Sequence, residues 1–405
     1  MEINAINVLI INYYYPPIVN GGVQRTYNFK KYLSQMGFNV AFLTTSSFGS
    51  LENDEENLIV RYPDRGYDYT HSSKSSRLGV FIFRAWRLLQ VKLGLLTDGK
   101  YYWKKEVVKN IDQFMNSHRF DAVIASYPTP ANLEIGEIIY KRYGIPLIVD
   151  YRDGLMYEPF YEVQHSIFTV KHRLLSLEKR MAKIASLHLT VNPEMNQYYS
   201  DHYPSVKSVM IPNGFDDEEV FDCAPLKLPE GTNVIFTGSI GKSRKMYEDN
   251  ILADFLNYLF EIRDDVNYIF IGDYKAEEIE IFKKHKNVFV YDKTDRNRVV
   301  ATQRIADALL LISGSQGGTS GKLYEYLFSG KPILNIGGHT GIAAIIDDTY
   351  YGYTCEPGER DKIKQFIDKL KAGSLRFERG DLKPYTRRYQ SGILAKEIRE
   401  IINRH

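Results

Sequence analysis

The chain has 405 residues, more than one ordinary core accommodates, and its 44% hydrophobic and 25% charged residues exclude a disordered chain. A formal net charge of +2 creates no global field for gathering nucleic acid, so no nucleic-acid partner is expected. Two cysteines, Cys223 and Cys355, are too few for a disulfide framework and fit a reducing cytoplasm.

The first apolar run, residues 8–11, has no basic stretch before it and is closed by three tyrosines and two prolines. It reads as a first strand, not as a signal peptide. The loop that follows carries Gly21 and Gly22 at the mouth of a helix that Gly37 can cap. Paired glycines let a backbone approach a ligand closely, although such turns are common. Further strands are expected over residues 40–44, 122–125, 147–149, 187–191 and 208–211, with a helix over 131–143. No run approaches the ~20 apolar residues that span a bilayer.

Two stretches of this half carry charge in a pattern. Between residues 77 and 96 there is no acidic residue. On a helical projection Ile82, Trp86, Leu89 and Leu93 share one side, while Arg77, Arg84, Arg87 and Lys92 fall within an arc of roughly 140°. Two readings stay open: a helix lying in an anionic membrane interface beside a lipid-linked acceptor, or a buried helix whose arginine stems cover the core. The second stretch, Asp150-Tyr151-Arg152-Asp153, sets an arginine and two carboxylates at the carboxyl end of a buried strand. Arg152 serves either a ligand or an internal Arg–Asp pair that fixes the loop, and Asp153 is the candidate functional carboxylate.

A polar, proline-bearing stretch from Pro212 to Gly231 precedes a restart of the pattern near Thr232. Strands are expected over 233–236, 268–271, 288–290, 308–312 and 332–336, and helices over 248–262 and 361–371. Apolar strands alternating with helices mark parallel sheets covered on both faces, hence two α/β domains, 1–212 and 213–387. A last helix within 388–405 is expected to return to the first domain.

After the strand ending at Phe236 comes a loop with Gly238 and three cations, Lys242, Arg244 and Lys245. It fails as a P-loop, whose first glycine would fall on Phe236. A cationic loop facing a diphosphate and a solvated basic turn both remain open. After the strand ending at Ile312, a glycine-rich loop leads into a helix near Ser320. The backbone of Gly318, Thr319, Ser320 and Gly321, with the positive end of that helix, suits an anion such as a diphosphate. Lys322 adds a charge-assisted contact, and Glu325, one turn on, can accept bonds from two ribose hydroxyls. The plainer alternative is an ordinary strand–loop–helix joint, but ligands in open α/β sheets sit at strand carboxyl ends. No D-x-D triplet occurs and the nine histidines are scattered, so neither metal nor cofactor is expected. G-x-G-x-x-G and G-x-S-x-G are also absent, which removes the simplest dehydrogenase and hydrolase readings.

Taken together these residues resemble glycosyltransferase family 4, retaining enzymes of GT-B fold, in its surface-polysaccharide branches. The likeness rests on the Pro16-Pro17…Gly21-Gly22-Val23…Arg25 loop, the D-x-R-D segment at Asp150, and Ile211-Pro212-Asn213-Gly214-Phe215-Asp216. Gly238 with Lys242, and Glu325-Tyr326-Leu327-Phe328-Ser329-Gly330-Lys331-Pro332, complete it. The resemblance implies two Rossmann-like domains facing a central cleft. It implies a nucleoside-diphosphate sugar as donor, with its ribose on Glu325 and its diphosphate on Gly318 to Lys322, opposite Lys242, Arg244 and Lys245. The base would lie near Tyr291, Gly22 would approach the phosphates, and Asp153 would face a carbohydrate or lipid-linked acceptor; Asp153, Lys242 and Lys322 are the catalytic candidates. Three positions depart from the family. Gly317 stands where a second glutamate is usual, Ser239 where an arginine is, and Tyr127-Pro128 where relatives carry a histidine, so no general base is assigned. The expected activity is sugar transfer in surface-polysaccharide assembly, in the cytoplasm at the inner face of the membrane. A GT-B sugar-nucleotide epimerase and a non-catalytic sugar-nucleotide-binding subunit stay open as alternatives.

Overall fold

The computed structural model describes residues 5–18, 21–49, 52–96, 98–157, 168–240, 249–314, 321–338, 341–376 and 380–404. The chain divides into two compact units, Met1–Pro212 with Arg387–His405, and Asn213–Thr386.

The first unit is built on seven strands, β1 (Asn7–Ile11), β2 (Asn39–Thr45), β3 (Ile59–Tyr62), β4 (Ala122–Tyr127), β5 (Leu147–Tyr151), β6 (Ala185–Thr190) and β7 (Ser208–Met210). They form one parallel sheet in the order β3-β2-β1-β4-β5-β6-β7. Between and beside them run α1 (Gly21–Gln35), α2 (Arg65–His71), α3 (Arg77–Lys92), α4 (Tyr101–Ser117), α5 (Pro130–Tyr143), α6 (Phe168–Ile184) and α7 (Pro193–His202). Side chains alternate along each strand. Leu9 and Ile11 therefore join one core with Trp103, Leu133 and Val149, while Val8 and Ile10 join another with Phe29, Leu33 and Ile124.

The second unit repeats the plan with six strands, β8 (Thr232–Thr237), β9 (Val266–Gly272), β10 (Val288–Asp292), β11 (Ala308–Gly314), β12 (Ile333–Gly337) and β13 (Gly352–Cys355). Their parallel order is β10-β9-β8-β11-β12-β13. Its helices are α8 (Asp249–Ile262), α9 (Ala276–Phe282), α10 (Arg296–Ile305), α11 (Gly321–Ser329), α12 (Gly341–Thr349) and α13 (Arg360–Lys371), and α14 (Arg387–Ile402) then packs on α1 of the first unit. In each sheet the strand order reverses between two neighbours, β1 with β4 and β8 with β11. Those are the points where connections leave in opposite directions and open a crevice at the carboxyl ends.

The expected parallel sheets are present. Two strands, β3 and β13, were not expected: each is a four-residue edge strand, mostly only half-buried, without the apolar run that marks an inner strand.

His188 in β6 is wholly buried, and neither ring nitrogen has a hydrogen-bond partner among the described residues. The rings of Tyr151 and Tyr199 stand edge-on to it at 5.3 and 5.4 Å. Burial pushes its pKa down to about 4, from an ordinary 6.5. The unfolded imidazole takes up a proton near 6.5 and the folded one only near 4, so stability is complete above 6.5. It falls as the pH drops toward 4, by up to about 1.4 kcal/mol per unit. His188→Leu should remove that slope from urea unfolding followed across this window; an unchanged slope would mean that the imidazole is not its source.

Candidate functional site

At the carboxyl edge of the first sheet, β1 is followed directly by Asn12, a buried amide. Its Nδ2 donates to the Gly22 carbonyl at 3.0 Å and to Thr26 Oγ1 at 2.8 Å, which ties the start of α1 to the strand end. Across the switch point Asn132 Oδ1 accepts from the Tyr13 amide at 3.1 Å, and its Nδ2 donates to the Ser126 carbonyl at 2.6 Å. Gly22 thus lies in the first turn of a helix whose positive end opens at this edge, a setting suited to negative charge.

Charge at this edge divides into a buried pair and a surface pair. Arg25 and Asp150 are both buried, with Arg25 Nε 2.9 and 3.2 Å from the two carboxylate oxygens. Ser126 Oγ donates to Asp150 at 2.8 Å, and Arg25 Nη1 donates to the carbonyls of Ile211 and Pro212 at 2.7 and 3.2 Å. Asp150 and Arg25 are therefore bound to each other and not presented to a ligand. Arg152 and Asp153 make the second pair, 3.1 Å apart, with the Asp153 side chain a third exposed. The turn after Asp153 admits only glycine, because a Cβ on Gly154 would lie 1.8 Å from the Tyr157 carbonyl oxygen.

Glu178 holds the far side of that turn. It is fully buried and accepts from the hydroxyls of Tyr198, Tyr199 and Tyr203 at 3.0, 3.1 and 2.8 Å, and from the Met156 amide at 3.0 Å. Sequence reading missed this cage; its trace is a run of tyrosines at helical spacing in and just beyond α7, 20 to 25 residues from the carboxylate they serve.

In the second unit, the ends of β8 and β9 meet the start of α11. Gly238 has φ +90°, and a Cβ there would stand 2.8 Å from both Cε and Nζ of Lys322. A Cβ on Gly272 would lie 2.5 Å from the Gly238 carbonyl oxygen. Two bare strand ends thus press together under the lysine, whose Nζ lies 4.5 Å from the centre of the Phe236 ring. Gly321 opens α11 directly before that lysine.

Glu325 sits one turn along α11, and its carboxylate is already held. Gln303 Nε2 donates to Oε1 at 2.7 Å, and Arg296 Nε lies 3.3 Å from Oε2. Gln303 is wholly buried and accepts in turn from Ser329 Oγ at 2.9 Å. Arg296 also pairs with Glu219. Burial works against the charge of Arg296, but Glu219 and Glu325 outweigh it and hold its pKa above the ordinary arginine value. A carboxylate fixed on one side by Gln303 keeps lone pairs for other donors. Neither Gln303 nor Arg296 belongs to a motif read from the sequence.

Tyr291 lies half-buried on the edge strand β10, its hydroxyl donating to the Lys227 carbonyl at 2.7 Å. Lys242, Arg244, Lys245, Gly318, Thr319 and Ser320 lie outside the described residues. Among the described residues no three His, Cys, Asp or Glu side chains gather as metal ligands would. The structure therefore brings Gly238, Lys322 and Glu325 together in one corner of the second unit, with Gly321 opening the same helix.

Residues 19–219 match the family model described as Glycosyltransferase Family 4, and residues 224–388 match the one described as Glycosyl transferases group 1. A search of the curated proteins found no match. Among solved structures, the sucrose-phosphate synthase of Thermosynechococcus elongatus is similar at 12% identity, over 98% of this chain and 95% of that one, with TM-score 0.60. An E. coli trehalose-6-phosphate protein bound with UDP-2-fluoro glucose is 12% identical over 98% and 97%, with TM-score 0.56. WaaG, a glycosyltransferase involved in lipopolysaccharide biosynthesis, is 15% identical over 98% and 95%, with TM-score 0.55. At these identities the likeness to solved structures is one of fold, and that fold is GT-B.

The two charge pairs should respond differently to truncation. Asp150→Ala strands a buried guanidinium and should destabilise the first unit by about 3–5 kcal/mol, whereas Asp153→Ala should cost no more than about 1 kcal/mol. Denaturant unfolding of both variants checks this, and equal losses would show that the buried pair does not pin the edge.

Proposed function

Taking the chain as the GT-B glycosyltransferase that its two matched domains make it, we propose that it moves a sugar from a nucleoside-diphosphate sugar to a carbohydrate or lipid-linked acceptor. The transfer retains anomeric configuration and serves surface-polysaccharide assembly. Support for the donor comes from the corner where Gly238 leaves room for the Lys322 ammonium, one turn from Glu325. Residues three apart share a face of a helix, with about 4.5 Å between them along the axis. That spacing suits a diphosphate on the lysine and its ribose on the carboxylate.

Each residue then has a task. Lys322 and the amides of Gly318, Thr319, Ser320 and Gly321 meet the charge that grows on the diphosphate as the sugar leaves. Lys242, Arg244 and Lys245 add charge from the loop after β8, so no divalent cation is needed. Gly238 keeps the backbone bare, Glu325 accepts from the ribose hydroxyls, Tyr291 borders the base, Gly22 approaches the phosphates and Asp153 serves the acceptor. Gln303 and Arg296 act through Glu325, as positioning residues that hold it before the nucleotide arrives.

Thermal shift with a panel of nucleoside diphosphates, in EDTA, tests this. One diphosphate at a hundredfold excess over its Kd should stabilise the wild type by about 2.7 kcal/mol. Glu325→Ala and Lys322→Ala should each lose most of that gain. Stabilisation by none of the panel would remove the donor site, and binding that survives Glu325→Ala would remove the ribose assignment. Product analysis with the bound sugar nucleotide then separates transfer to an acceptor from isomerisation of the donor.

A further inference from the structure

Helix α3 contributes no buried residue to the protein. It touches the rest of the first unit along a narrow stripe: the Phe83 ring lies 5.2 and 5.4 Å from those of Tyr69 and Tyr102. Just past its end, a Cβ on Gly94 would stand 3.3 Å from Thr169 Cβ. The opposite side carries Leu78, Phe81, Ile82, Trp86, Leu89 and Leu93, of which Phe81 is 69% and Trp86 53% exposed. At 100° per residue these six fall within roughly 140° of arc. The buried-helix reading of this segment is thereby corrected: none of its residues is buried, most of its large apolar residues face outward, and the half-buried stripe that faces in carries Val80, Phe83, Arg87, Gln90 and Val91.

The charge on this face has one sign. Arg77, Arg84 and Lys92 are exposed, and no acidic residue occurs anywhere from residue 69 to residue 96. On the projection Arg77 and Arg84 border the apolar arc along one edge. Phe168, 80% exposed at the start of α6, extends the face, because Thr169 Oγ1 donates to the Lys92 carbonyl at 2.5 Å.

We propose that α3 docks the protein on an anionic phospholipid surface, lying in the plane of the interface with Phe81, Trp86 and Leu89 among the acyl chains. Contiguous apolar surface of this kind marks an interaction site, and its basic border selects the partner. An amphipathic helix with Trp and Phe on one side and arginines beside them matches a layer whose hydrocarbon starts just beneath negative headgroups. A second copy of the chain is disfavoured, since pairing α3 with itself would set the two basic borders together without an acidic partner. Crossing the bilayer is also excluded for this helix: 16 residues span only about 24 Å, and no described helix is long and apolar enough. The inference stands on this face alone and does not depend on the donor-site reading.

Fluorescence supplies the test, because the chain has two tryptophans and Trp103 is wholly buried, with its Nε1 donating to the Thr44 carbonyl. The full chain should co-sediment with phosphatidylglycerol-containing vesicles and not with pure phosphatidylcholine, and its emission should shift to the blue. In Trp86→Phe binding should persist and the shift vanish. Phe81→Glu with Leu89→Glu should abolish binding. Arg77→Gln with Arg84→Gln should weaken it roughly 30-fold, about 2 kcal/mol at 1.4 kcal/mol per decade. All these side chains are exposed, so unfolding and nucleoside-diphosphate binding should match the wild type, which separates this proposal from the donor site. Equal sedimentation with both vesicle types would overturn it. So would a concentration-dependent dimer in ultracentrifugation that Leu89→Glu dissolves.

Discussion

The carboxyl edge of the first sheet depends on a charge pair taken out of water. Arg25 belongs to α1, Asp150 to the last residues of β5, and the two carbonyls that share the guanidinium lie just past β7. Three segments far apart in sequence are thus fixed by one side chain. The pair is worth little as a net gain, because desolvation consumes most of the attraction. Its effect is on geometry: any slip of α1 or β5 leaves a charge unpaired in a dry interior. The turn that exposes Asp153 therefore begins from a fixed point, and Glu178 with its three tyrosines fixes the other end.

The second unit reaches order at its own edge by a different route, steric and neutral as much as ionic. Gly238 and Gly272 bring strand ends close enough that Lys322 rests against backbone and the Phe236 ring. Glu325 is locked from behind by buried Gln303, itself tied to Ser329. Side chains held in this way lose little entropy when a ligand arrives, which favours tight and oriented binding.

Most of the fold could be read from the chain because inner parallel strands are unbroken apolar runs. Helices such as α5 and α13 also carry clear ends, with Pro130 in the first turn of α5 and Gly144 beyond it. The edge strands β3 and β13 escaped because half of an edge strand faces water and its apolar signal fades. Glycine-rich loops after two separate strands marked Gly238 and the helix start that carries Lys322 as candidates, since loops after strands are where bare backbone has a use, but that the two residues meet was not legible. Partner choice was illegible. The spacing of Asp150, Arg152 and Asp153 left Arg152 open between a ligand and an internal pair within the loop. The structure has that pair in Arg152 with Asp153, and a deeper one that recruits Arg25 from 125 residues away. Gln303 and Glu178 were missed for the same reason: no local pattern announces a polar group whose partners come from other elements. For α3 the sequence left exposure undecided, because an amphipathic pattern reports two faces without saying which is wet.

The return of α14 to the first unit has a consequence for the order in which the protein is made. Leu394, Ala395, Ile398 and Ile401 complete the core that contains Val8, Phe29 and Leu33, yet they are separated from Pro212 by the whole second unit, Asn213–Thr386. On the ribosome, at roughly 5–20 residues per second, the first unit therefore waits on the order of ten seconds or more with an apolar face uncovered. The second unit is continuous in sequence and can close during that interval. The half of the molecule synthesised first is thus the last to finish folding, and it is the half whose exposed surface a chaperone would meet.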